Sequence, residues 1–100
     1  MNPFEAVAEP NRRRLLELLR SGEKAAGDLV KATGLSQPGA SKHLRQLREA
    51  GLVSARAEGQ KRLYRLEAGE LAALDSWLEP FRQFWADRLD ALGEHLEREQ

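Results

Sequence analysis

The stretch from Leu35 to Leu52, LSQPGASKHLRQLREAGL, constrains this chain most, because it specifies a helix with a defined start, face and end. Ser36 can cap that helix, its hydroxyl accepting from the free backbone N–H of Gly39, while Pro38 has no N–H to satisfy in the first turn. Ala40, Leu44 and Leu47, with His43 at their flank, recur at three- and four-residue spacing and predict one buried stripe. Gln37, Gly39, Ser41, Lys42, Arg45 and Arg48 point elsewhere, so one face packs and the other is basic. Gly51 ends the helix as a left-handed cap, and Leu52-Val53 begins an extended segment. A short polar-basic helix of this kind has the dimensions to enter a DNA major groove.

The segments around it complete a pattern. Pro3 to Val7 predicts a short helix with Phe4 and Val7 as its apolar contacts. Glu9-Pro10 opens a second helix, Pro10 at the first helical position, with Leu15, Leu16, Leu18 and Leu19 inward and Ser21-Gly22 as its stop. Arg12, Arg13 and Arg14 form its outward side, open to a solvated or a phosphate-contacting reading. Ala25 to Thr33 predicts a third helix, weak at its start, with Leu29 and Val30 inward and Gly34 as cap. Helix, Thr33-Gly34-Leu35 turn and helix 36–50 then make a helix-turn-helix. From Leu52 the period becomes two, and Gly59-Gln60 turns the chain into Lys61-Arg62-Leu63-Tyr64-Arg65-Leu66. The expectation is a β-hairpin wing over 53–66 with a basic tip of Arg56, Lys61 and Arg62, able to lie along phosphates.

Glu70 to about Arg98 predicts the last helix. Leu71, Leu74, Leu78, Phe81, Trp85, Leu89, Leu92 and Leu96 follow helical steps, with Trp77 and Phe84 beside them, more apolar face than one small domain covers. Both tryptophans and two of three phenylalanines sit here, which suits a subunit interface. Pro80 removes one helical hydrogen bond, so two segments or one bent rod are expected.

A length of 100 residues implies a single domain over 1–100. Without cysteine, disulfides, thiolate metal sites and thiol redox sensing are excluded. No apolar run reaches the roughly 20 residues of a membrane span, and the N-terminus lacks a signal peptide's apolar core, so a cytoplasmic protein without a membrane partner is expected. The net charge of zero hides a dipole: residues 10–65 carry 13 bases and five acids, a net of +8, and residues 66–100 carry three bases and nine acids, a net of −6. Such a molecule presents one face to a polyanion.

Taken together, AEPNRRRLLELL at 8–19, LSQPGASKHLRQLREAGLV at 35–53 and EGQKRLYRL at 58–66, each at its expected spacing, resemble the ArsR/SmtB family of winged-helix repressors over nearly the whole chain. WLEPFRQFW at 77–85 looks like the end of a subgroup without known inducer-metal ligands. The resemblance implies a mainly α winged helix-turn-helix with a small β-hairpin wing, residues 10–66 forming its core and 1–9 and 67–100 dimerisation helices. It implies a homodimer joined through its first and last helices, repressing transcription from an inverted-repeat operator in double-stranded DNA. The implied DNA-contacting residues are Ser36, Gln37, Pro38, Ser41, Lys42 and Arg45 on the recognition helix and Arg56, Lys61 and Arg62 on the wing; Gly39 departs from the family, which usually carries a larger side chain there. The implied dimer interface comprises Phe4, Val7, Leu74, Trp77, Leu78, Phe81, Trp85, Leu89 and Leu92.

No metal or cofactor is expected: the third helix has no thiol, and the last has only His95 near Asp90, Glu94 and Glu97, short of the donors Zn²⁺ takes unless a dimer pairs them. His43 reads either as a partly buried, locally hydrogen-bonded residue or as a DNA contact. With one tyrosine, no phosphate loop and two distant histidines, the chain is not expected to be an enzyme. Two alternatives remain open: a winged-helix protein-interaction module, and a repressor whose inducer, a protein or an apolar small molecule, docks on Trp77, Phe81, Phe84 and Trp85.

Overall fold

The computed structural model describes the backbone of residues 1–98 and the side chains through residue 93. Five α-helices run α1 Pro3–Val7, α2 Pro10–Leu18, α3 Ala26–Thr33, α4 Gln37–Glu49 and α5 Ala68–Arg98, and a 3-10 turn, Leu19–Ser21, prolongs α2. Strands β1 Lys24–Ala25, β2 Val53–Glu58 and β3 Lys61–Leu66 form an antiparallel sheet in the order β1-β3-β2. The β2–β3 register pairs Val53 with Leu66 and Glu58 with Lys61, leaving Gly59 at φ 61° in the turn, the left-handed conformation a two-residue hairpin loop requires.

The leucine stripes meet in one core. Leu15, Leu29, Leu44, Leu47 and Leu52, one or two from each of α2, α3, α4 and the loop into β2, are fully buried, with Ala6, Leu19, Val53 and Tyr64 around them. This packing fixes α3 and α4 as the helix-turn-helix, with Gly34 between them at φ 71°.

Four expectations are corrected. The third helix starts at Ala26 rather than Ala25, because Lys24 and Ala25 pair with Tyr64 and Leu63 as a third strand beside the expected hairpin, leaving Ala25 as the extended N-cap. Arg12 is not on the outward side but buried, because a residue three positions before Leu15 shares its face. The last helix starts at Ala68 rather than Glu70. Pro80 does not divide it into two segments; α5 continues through the proline. The lost bond is that to the Ser76 carbonyl, and both residues are exposed, so water can satisfy that oxygen.

Candidate nucleic-acid interface

The recognition helix begins as its sequence demands. Ser36 is its N-cap, the hydroxyl accepting from Gly39 N–H at 3.1 Å. A Cβ on residue 39 would stand 2.9 Å from that hydroxyl, so the missing side chain leaves the cap its room. At the other end Leu52 N–H donates to Leu47 O and Gly51 N–H to Arg48 O, both at 3.0 Å, with Gly51 at φ 77°. That is a Schellman closure, and its two apolar members, Leu47 and Leu52, are both in the core.

With Ala40, Leu44 and Leu47 turned inward, Ser36, Gln37, Pro38, Ser41, Lys42 and Arg45 are all exposed. Gln37 shares a groove of about 500 Å³ with Gln60, Lys61 and Arg62 of the wing tip and with Asp28 and Lys31 of α3. Arg45 and Arg48 line a second cleft, of about 470 Å³, against Ser54 and Ala55 of β2. Of the helix and wing residues singled out in the sequence, Gln37, Lys61 and Arg62 therefore line the first groove and Arg45 the second. Lys31, which sequence reasoning passed over as the end of a supporting helix, borders the first.

The wing cations are not equivalent. Strand pairing places Arg56 and Lys61 on one face of the hairpin and Arg62 on the other. Arg56 donates to both carboxylate oxygens of Glu23, at 2.7 and 3.0 Å, and lies 3.6 Å from Glu58. That hydrogen bond holds the Glu23 carboxyl below its ordinary range and raises Arg56, so the pair stays ionised with the Arg56 guanidinium facing a carboxylate. Among the described residues Lys42, Arg45, Lys61 and Arg62 have no carboxylate partner. Arg62 instead lies 6.0 Å from the centre of the Tyr64 ring. Glu23 gave no sequence signal, since it is 33 residues from Arg56.

The arginine triplet serves the fold. Arg13 donates to Val7 O and Ala8 O, and Arg14 lies 3.7 Å from Glu17. His43 is half-buried, with Nδ1 4.0 Å from Glu9 Oε2 and no hydrogen bond, so the expected local bond is absent. Glu9 caps α2; burial pushes its carboxyl up, but the Arg12 N–H and the neighbouring His43 and Arg12 outweigh this and hold it low.

The apolar surface lies away from these grooves. Trp77, Phe84, Trp85 and Leu92 are about half exposed and Leu89 is 67% exposed; Phe4 meets Trp77 edge-on at 5.7 Å and Trp77 meets Phe81 at 4.8 Å. Val7, Leu74 and Leu78 are half-buried and, with Phe4, Leu16 and Trp77, line an open apolar groove of about 390 Å³. Among the described residues no three His, Cys, Asp or Glu side chains gather as a metal site, and no helix is long and apolar enough to cross a membrane. The side chain of His95 lies outside the described residues.

Residues 9–55, from the N-cap of α2 into β2, match the family described as bacterial regulatory protein, arsR family. The transcriptional repressor SdpR of Bacillus subtilis is 35% identical over 80 residues, covering 80% of this chain and 89% of that protein. The chain belongs to the arsR family. The crystal structure of a possible transcriptional regulator for arsenical resistance superposes with a TM-score of 0.75 at 44% identity, covering 92% of this chain and 93% of the other. The homodimeric winged helix-turn-helix DNA-binding domain of a possible ArsR-family regulator from Mycobacterium bovis superposes at 0.65 and 32% identity, covering 84% of this chain and 78% of that one. This arsR-family chain is accordingly a transcriptional regulator with a winged helix-turn-helix DNA-binding fold, and not an enzyme.

Proposed function

We propose that the chain is a homodimeric repressor that occupies an inverted-repeat operator, reading bases with Gln37 and Ser41 and holding phosphates with Lys42, Arg45, Lys61 and Arg62. The observation that carries this reading is that Lys42, Arg45, Lys61 and Arg62 are exposed and without carboxylate partners among the described residues, Lys61 and Arg62 lining the groove beside Gln37 and Arg45 the cleft against β2. Ser36 and Pro38 border the same surface and shape the helix start. Arg56 contributes less, because Glu23 already offsets its charge.

A second copy would cover the stripe of Phe81, Trp85, Leu89 and Leu92 and the adjoining groove, as befits a relative of a homodimeric domain. A protein-interaction module would present an acidic or apolar reading face, and the face of α4 is polar and basic.

The test is titration of a duplex selected by the protein from a random pool, beside a shuffled duplex, at several salt concentrations. The selected duplex should bind tightly with a steep salt dependence. Lys42→Ala and Arg62→Ala should each reduce the salt slope by about one, and Arg56→Ala by less. Gln37→Ala should blur preference at particular base pairs and leave the slope alone. Equal binding to both duplexes would overturn the reading.

A further inference from the structure

We propose that Arg12 is a positioning residue for DNA reading, its buried guanidinium tying the recognition helix α4 to the carboxyl end of α1. The inference rests on the DNA-reading function above.

Arg12 is only 8% exposed, and a buried cation is ordinarily matched by a carboxylate. Here its three hydrogen bonds go to neutral oxygens. Nε donates to Ala6 O at 2.7 Å, Nη2 to Glu5 O at 3.1 Å and Nη1 to Gln46 Oε1 at 2.9 Å. Among the described residues no carboxylate lies within ion-pair distance of it. An aliphatic side chain would fill this space without the cost of desolvating a charge. The guanidinium adds geometry: a planar fork with donors in fixed directions, two satisfied by α1 and one by α4.

Gln46 is three residues after His43 on the same flank of α4, where His43 faces Glu9. Glu9 in turn accepts from Arg12 N–H at 2.9 Å. The α1–α2 junction thus meets α4 at two points one turn apart, while Lys42 and Arg45 look out to solvent beside them. Phe4 of α1 packs on Trp77 of α5, so the same short helix touches the apolar surface assigned to the dimer. Half-sites read by a symmetric dimer lie about 34 Å apart, so the offset between interface helices and reading helices sets which operator fits. A tie between α1 and α4 holds that offset.

Gln46→Met preserves length and removes the acceptor; Gln46→Glu keeps an acceptor; Arg12→Lys keeps the charge and loses the fork. With the selected and shuffled duplexes, well below each protein's melting temperature, Gln46→Met and Arg12→Lys should lower the ratio of selected to shuffled affinity about tenfold. Sedimentation should show the dimer intact and the salt slope should be unchanged, while Gln46→Glu should restore the ratio. A Gln46→Met protein that melts lower but keeps the wild-type ratio would show that the bond serves stability alone, overturning the proposal. A slope reduced by about one would make these side chains phosphate contacts and overturn it equally. A wild type without preference for either duplex would instead overturn DNA reading itself, and this role with it.

Discussion

Gly51 joins the reading helix to the wing, and two separate constraints keep it glycine. Its φ of 77° is left-handed, which costs a side-chain-bearing residue roughly 1–2 kcal/mol. A Cβ there would also stand 2.7 Å from Glu70 Cγ, so the Glu70 side chain would have to move. Gly34, at φ 71° between α3 and α4, has nothing within 4 Å of its Cβ position. Thermal unfolding should therefore rank Gly51→Ala below Gly34→Ala, both destabilised, with the difference reporting the Glu70 contact. Equal losses would mean that Glu70 swings aside freely. Gly39 is constrained differently: its φ is ordinary, and the space it leaves belongs to the Ser36 hydroxyl.

The wing has acidic braces at two places. Glu23 holds Arg56, and Glu67 accepts from the Ser54 hydroxyl and from Arg65. Both carboxyls are held below their ordinary value of 4.5, Glu23 by the Arg56 hydrogen bond and Glu67 by those from Ser54 and Arg65. A depressed folded pKa means stabilisation that is present above the unfolded value and lost as pH falls through the folded one. The wing should therefore stay ordered at neutral pH and loosen below about pH 4.5, read as faster amide exchange in β2 and β3 than in α4. Glu23→Gln should remove part of that acid sensitivity; an unchanged profile would assign it to other carboxyls. The same brace occupies the Arg56 guanidinium with the Glu23 carboxylate.

The molecule measures 63 × 25 × 20 Å, and its long axis reflects α5, whose 31 residues span about 46 Å. Beyond Leu71, which packs on the core, the helix carries a stripe of half-exposed aromatic and leucine side chains. Charge divides the same way, with the basic excess in residues 10–65 and the acidic excess in 66–100. A dimer paired through α5 would keep its acidic part off DNA and its reading helices on it. Trp85→Glu and Leu89→Glu should each give monomers by sedimentation, with selected-duplex affinity falling far more than that for shuffled DNA, because one half-site alone remains. An intact dimer in both variants would place the interface elsewhere.

Local rules were enough for the recognition helix, its two ends and the hairpin turn. The Ser36 cap, the Gly34 and Gly51 stops, the 40-44-47 stripe and the Gly59 turn each depend on residues within seven positions of one another, and each stands where the sequence puts it. The exposed reading face followed from helical period alone. What only tertiary structure decided are the partnerships across distance: Arg12 with Gln46 34 residues away, Arg56 with Glu23, Lys24-Ala25 with the wing. A charged side chain in a helical run reads as solvated unless a neutral pocket awaits it, and a two-residue strand has no period to detect. The uninterrupted helix at Pro80 belongs to the same class, because local chemistry states the bond that is lost, and only the exposed surroundings of Ser76 show that its loss is tolerated.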